Sequence, residues 1–286
     1  MALEAIDAAA AGTVSLGGEL QVRRLGFGAM RITGDGIWGA PADPDEARRV
    51  LRRAVDLGVN FIDTADAYGP EVSEALIADA LHPYPGGLVI ATKGGMTRSG
   101  PGGWERNGRP EHLREACEGS LRRLRVERID LYQLHTVDPM VPIEESVGAL
   151  AELSEEGKIA HVGLSNVDLA QLDRARSVVP IVSVQNRYSL EDRGADPVID
   201  ACERDGLAFI PWFPLAAGEV GGDAVARVAA EHEATPFQVA LAWLLACSPA
   251  MLPIPGTASV AHLEENVAAA ALRLTEDEVA ELTGAA

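Results

Sequence analysis

The chain has 286 residues, 47% hydrophobic and 23% charged, enough for one large globular domain with its own core. Its 24 Lys and Arg against 43 Asp and Glu give a formal net charge of −19, which argues against general affinity for nucleic-acid backbones or anionic lipid. Only two of the basic residues are lysines, Lys93 and Lys158. A chain that writes nearly every cation as Arg raises the question of what those two do.

The N-terminal MALEAIDAAAAG carries Glu4 and Asp7 and no basic cluster. No export signal is therefore expected, and residues 1–12 read as a flexible segment. No apolar run reaches the length of a membrane span. Cys117, Cys202 and Cys247 are odd in number and widely spaced, so neither a disulfide framework nor a thiolate metal site is expected, and a cytoplasmic protein fits.

Thr13–Leu16 and Leu20–Arg24 flank Gly17-Gly18 and predict a hairpin with a two-residue turn, placed to plug one end of a barrel. Strand-type runs then recur at Leu25–Met30, Asn60–Thr64, Leu88–Lys93, Ile129–His135, Ile159–Ser165, Val182–Gln185, Ala208–Trp212 and Met251–Ile254. Between them lie helical periodicities. Ala47, Val50, Leu51, Ala54 and Val55 share one face, as do Leu113, Ala116, Cys117, Ser120, Leu121 and Leu124. Asp43 before Pro44 caps the first of these helices and Gly58 closes it. Eight βα units without a composition break predict an α/β fold, a single (β/α)8 TIM barrel over 1–286 with an N-terminal hairpin. The stretch from Gly94 to Pro110, GGMTRSGPGGWERNGRP, is too Gly-rich for core and is expected to help form a substrate site.

In this fold the C-terminal ends of the strands converge on one mouth. The polar residues there are Asp63 with Tyr68 five positions on, Lys93, His135, Ser165 with Asn166, and Gln185, followed by Trp212. A phenol titrates near 10 and is an idle acid at neutral pH. A neighbouring ammonium lowers that value, and a carboxylate fixes the ammonium. Tyr68, Lys93 and Asp63 supply these three parts, and His135 a hydrogen-bond partner for a carbonyl oxygen. Taken singly each has a plainer use: Asp63 as a turn residue, Tyr68 as a loop anchor, His135 as a rim or core histidine. Arg cannot replace a compact ammonium against a phenol, which singles out Lys93. Lys158, at the opposite end of its strand, reads as a surface cation.

Other signatures are weak. Leu25–Gly28 lacks the third glycine of a dinucleotide fingerprint, and no phosphate-loop GK[ST] occurs. Asp63, Asp66 and His135 could surround a metal, but a lysine in their midst argues for none.

The segments FIDTADAYG, ATKGG, LRRLRVERIDLYQLH, EEGKIAHVGLSN and IPGTASVAHLEENVAAA resemble, in order and spacing, those of the aldo-keto reductases over essentially the whole length. That resemblance implies a catalytic tetrad of Asp63, Tyr68, Lys93 and His135. It implies that Ser165, Asn166 and Gln185 hold a nicotinamide carboxamide and that Trp212, usually Tyr in relatives, stacks on the ring. The pyrophosphate is expected along Leu215 to Glu219 with the turn at Gly218, and adenosine at Thr257, Ser259, His262, Glu265 and Asn266. Gly256 and His262 stand where many relatives carry Lys or Arg for a 2′-phosphate, so NADPH is expected from the family with NADH use left open. The implied chemistry is reduction of an aldehyde or ketone by hydride transfer, with Tyr68 as general acid. The LGFGAMRITG start, FIPWFPLA and IPGTASVAHL look most like bacterial pyridoxal reductases; Trp38 and Trp104, with Trp212, are expected around a planar substrate. Reduction of a sugar, methylglyoxal or a secondary metabolite is the alternative, and a regulatory subunit like those of potassium channels the alternative of another class. A monomer or weak homo-oligomer is expected.

Overall fold

A computed structural model describes residues 6–215 and 221–285. Seven parallel strands run in the order β3 (Phe27–Gly28), β4 (Phe61–Asp63), β5 (Val89–Gly94), β8 (Ile129–Leu134), β9 (Ile159–Ser165), β10 (Ile181–Gln185) and β11 (Ala208–Phe209). The eighth position belongs to the extended run from Met251. On one side the Leu252 N–H donates to Phe209 O at 2.8 Å and the Phe209 N–H to Ala250 O at 2.9 Å. On the other, the Gly26 N–H donates to Pro253 O at 2.9 Å. Pro253 and Pro255 have no N–H to return, so the seam with the first strand is bonded in one direction and no regular ladder forms there. The sheet nonetheless closes, and the molecule is a (β/α)8 barrel.

Helices α1 (Pro44–Asp56), α2 (Val72–Leu81), α3 (Pro110–Leu124), α4 (Ile143–Glu155), α5 (Leu169–Arg176), α6 (Asp196–Asp205), α7 (Asp223–Glu231), α8 (Pro236–Cys247), α9 (Val260–Ala268) and α10 (Glu276–Ala285) belong to the outer layer. Their apolar faces, such as Val50, Leu51 and Ala54 of α1 and Leu113, Cys117 and Leu124 of α3, form the larger core cluster against the strands. The α1 cap is the expected one: the Asp43 carboxylate accepts from the Asp45 and Glu46 N–H groups. No helix among the described residues is long and apolar enough to cross a membrane.

Inside the barrel a second cluster joins Phe61, Val89, Ala91, Leu131, Val182, Ala208, Ile210, Leu252 and Ile254 with Leu16 and Val22. The last two belong to the N-terminal hairpin of β1 (Thr13–Leu16) and β2 (Leu20–Arg23). The hairpin therefore plugs the barrel, at the end where the strands begin: a Cβ on Gly17 would press on His161 and Val182. Its loop is three residues, Gly17 to Glu19, rather than two, because Leu16 pairs with Leu20.

Two further expectations are corrected. Within the segment read as flexible, Ala8–Ala11 form one turn of 3-10 helix capped by Asp7, with Ala8 and Ala11 buried and the Ala8 N–H donating to Leu57 O at 2.9 Å. Small side chains let this turn sit against the barrel. The Gly-rich loop after β5 is a second hairpin, β6 (Met96–Gly100) and β7 (Gly103–Arg106), with Met96 opposite Arg106 and Arg98 opposite Trp104.

Candidate active site

The inward pleat of neighbouring strands brings Asp63, Lys93, Gln133 and Gln185 to one point above the barrel core. Lys93 is fully buried and Asp63 only 2% exposed. A buried ion pair survives only if its remaining polar valences are met, and here they are. Lys93 Nζ donates to Asp63 Oδ1 at 2.5 Å, to Thr64 O at 2.8 Å and to Tyr68 Oη at 3.3 Å. Asp63 Oδ2 accepts from Gln133 Nε2 at 3.0 Å and Gln185 Nε2 at 2.9 Å. Burial opposes the charged lysine, but Asp63 and the Tyr68 oxygen outweigh it and hold the ammonium above its ordinary range. Lys158 differs: it lies just before β9 and pairs on the surface with Glu118 and Glu156 at 2.8 and 2.9 Å.

Tyr68 sits on the loop after β4, with its ring 5.0 Å from Lys93 Nζ. The expected downward shift of its phenol is not what the site produces. Burial pushes the Tyr68 phenol above its usual value, and Lys93 only partly counteracts this. Tyr68 is therefore a fully protonated donor at neutral pH. His135, immediately past β8, packs edge-on against Tyr68 at 5.8 Å between centroids. Burial, then the charges of Lys93 and Arg98, hold its imidazole well below the ordinary range, so it is neutral. Its Nδ1 is buried without a hydrogen-bond partner.

These side chains form one end of a cavity of about 830 Å³ that extends to Thr257, His262 and Asn266. Along it lie Ser165, Asn166, Gln185 and Trp212. Asn166 takes a left-handed backbone conformation, φ 58°. Its Nδ2 donates to His135 O and to Ser165 Oγ, both at 3.0 Å. Its Oδ1 accepts from the Trp212 indole N–H at 3.0 Å. The tryptophan that lacks a tyrosine hydroxyl thus has a different polar tie that fixes its flat face. Leu215 is in the wall, while Gly218 and Glu219 lie outside the described residues.

At the far end Thr257, His262, Glu265 and Asn266 line the cavity. Ser259 does not; its hydroxyl caps α9 by accepting from the His262 N–H. The missing cation at position 256 has a steric cause. A Cβ on Gly256 would run into the Gly28 carbonyl oxygen across the barrel seam, so no lysine fits there. Arg31, from the loop after β3, is exposed in the wall with its Cγ 3.6 Å from that same point, and it has no ion-pair partner among the described residues. Trp104 lines the cavity near Tyr68, whereas Trp38 is not part of the wall and stands behind it. Arg31, Gln133 and the apolar wall residues Met30, Phe213 and Phe237 escaped the sequence reading. Only Gln133 carried a signal, being two residues before His135 on an alternating strand.

A protonated phenol, a neutral imidazole and a clamped ammonium around one point can bind a carbonyl oxygen and protonate it. The elongated cavity with an aromatic platform, amide groups and an α9 N-terminus at its far end fits a dinucleotide in extended form. Among the described residues no three His, Cys, Asp or Glu side chains converge as a metal site.

Residues 24–286 match the sequence model of the aldo/keto reductase family. An uncharacterized oxidoreductase of Schizosaccharomyces pombe is 49% identical over 283 residues, 98% of this chain and 92% of that one. Pyridoxine 4-dehydrogenase of Escherichia coli is 44% identical over 274 residues, covering 93% and 96% of the two chains. The crystal structure of an aldo-keto reductase from Klebsiella pneumoniae in complex with NADPH superposes with a TM-score of 0.81 at 27% identity, over 94% of this chain and 93% of that one.

Proposed function

The chain belongs to the aldo/keto reductase family, and from that premise we propose that it reduces the aldehyde of a planar substrate of the pyridoxal type to the alcohol, with NADPH as reductant. That it is an oxidoreductase acting between carbonyl and alcohol follows from the family and its oxidoreductase relatives. The choice of pyridoxal rests on similarity to the E. coli pyridoxine 4-dehydrogenase and on the aromatic side chain of Trp104 in the cavity wall near Tyr68.

The observation that carries the mechanism is the Asp63–Lys93–Tyr68 chain of contacts at the cavity floor. Bound NADPH supplies the hydride that goes to the carbonyl carbon. Tyr68 gives its proton to the carbonyl oxygen, completing the alcohol. Its raised affinity for that proton is no obstacle, because an alkoxide is a far stronger base than a phenolate. Lys93, 3.3 Å from the oxygen, stabilises the phenolate left behind, and Asp63 with its two glutamine donors keeps the ammonium charged and in place. A neutral His135 offers an N–H to the carbonyl oxygen without adding a third cation beside Lys93 and Arg98. The preference for NADPH is supported by Arg31, a cation free to meet a phosphate where Gly256 can bear no side chain.

A steady-state comparison with NADPH tests the substrate. Pyridoxal should turn over with a higher kcat/KM than 4-nitrobenzaldehyde; equal or lower values would refute the pyridoxal assignment and leave a general carbonyl reductase.

A further inference from the structure

We propose that Arg98 is a positioning residue for catalysis: it clamps the peptide unit that carries Tyr68 and packs on Trp104, the ring that Tyr68 and His135 contact edge-on. Arg98 lies in β6 and is not part of the cavity wall. Its guanidinium donates to five backbone carbonyls. Two belong to its own hairpin, Gly103 at 3.2 Å and Gly100 at 3.4 Å. Two belong to the loop after β3, Ile37 at 2.8 Å and Gly36 at 3.0 Å. The fifth is Ala67 O at 3.0 Å, the carbonyl of the Ala67–Tyr68 peptide group.

Tyr68 needs such a tie because it is on a loop, not on a strand; the strands that fix Asp63 and Lys93 do not fix it. The flat guanidinium also lies 3.7 Å from the centre of the Trp104 ring and 5.6 Å from that of Trp38. Trp104 in turn makes edge contacts with Tyr68 at 6.4 Å and His135 at 6.2 Å between centroids. No carboxylate pairs with Arg98 among the described residues, so its donors are committed to carbonyls and its face to indole. Three separate loops meet on one side chain; one of them carries Tyr68 and another carries Trp104 of the cavity wall. Lysine cannot substitute, since a point charge cannot stack and serve five carbonyls at once. Misplacing a reacting group by about 1 Å costs on the order of 100-fold in rate.

The inference rests on the reading of Tyr68 as general acid, and the experiment separates the two. Arg98→Lys, Arg98→Ala and Tyr68→Phe are compared with the unaltered protein, using NADPH and 4-nitrobenzaldehyde, with NADPH affinity read by fluorescence. For Arg98→Lys and Arg98→Ala, kcat should fall on the order of 100-fold while the NADPH Kd stays within about twofold, because the cofactor end of the cavity is untouched. Millimolar guanidinium should restore part of the Arg98→Ala turnover, and tetramethylammonium should not. A normal kcat in Arg98→Lys overturns the role of Arg98, as does a loss that extends equally to NADPH affinity and ignores guanidinium. An active Tyr68→Phe removes the general acid and with it the reason for holding it; an inactive Tyr68→Phe beside a normal Arg98→Lys removes only Arg98.

Discussion

Replacing Lys93 by Met should cost far more stability than replacing Lys158 by Met, although Lys93 makes one ion pair and Lys158 two. At Lys93 the change leaves the Asp63 carboxylate buried, 2% exposed, with only the Gln133 and Gln185 amides as donors. Breaking a buried pair from one side costs about 3–5 kcal/mol, and the two amides place this case near the lower figure, about 3 kcal/mol. Lys158 is 31% exposed beside Glu118 at 48%, where pairs contribute about 0–1 kcal/mol. At about 2 °C per kcal/mol for a chain of this size, thermal midpoints should fall by about 6 °C and by less than about 2 °C. Adding Asp63→Asn to Lys93→Met should recover part of the loss, since no unpaired charge remains. Folding raises the pKa of Lys93 above its ordinary 10.5. Its stabilisation is therefore fully present below that value and is lost as pH rises through the folded one. The gap between parent and Lys93→Met should accordingly hold from neutral pH to about 10 and close above it. Calorimetry across pH measures all of this. Equal losses at the two lysines would refute the reasoning.

Arg31→Ala should weaken NADPH binding on the order of tenfold, the worth of a charge-assisted contact, and change NADH affinity less than about twofold; equal effects on both would deny Arg31 a 2′-phosphate. Gly256→Lys should not raise NADPH affinity, and the contact with Gly28 O should lower the urea midpoint by the equivalent of about 1–3 kcal/mol. Trp212→Phe should keep a cofactor platform without the tie to Asn166, so NADPH affinity should fall less than in Trp212→Ala when both are read by fluorescence titration.

Much of this arrangement is legible in the sequence because strand alternation and the barrel's single mouth reduce three dimensions to a list of strand ends. Asp63, Lys93, His135, Ser165 and Gln185 could be gathered on that ground, and the scarcity of lysine isolated Lys93. What escaped depends on contacts between distant segments. The eighth strand is present but irregular, since Pro253 and Pro255 deny it half its bonds at the seam. The hairpin β6–β7 was hidden by glycines that its turn requires: Gly102 sits at φ 75°. Ser259 reads equally as a ligand or a helix cap until the helix start is seen. The Tyr68 phenol shifts opposite to the expectation from sequence because residue types reveal the ammonium but not the burial, and burial is the larger effect. The sequence groups Trp38 with Trp104 at the mouth, whereas both rings pack near Arg98 and only Trp104 lines the cavity.

The central claim is that Tyr68 delivers the proton while hydride arrives at carbon, and single-turnover mixing of NADPH-loaded Tyr68→Phe with aldehyde tests it most directly. Loss of a general acid should slow NADPH oxidation by about 100- to 10,000-fold, with the NADPH Kd within about twofold of the parent. Oxidation within about tenfold of the parent rate would contradict the account, since that loss is smaller than any general acid of this kind contributes.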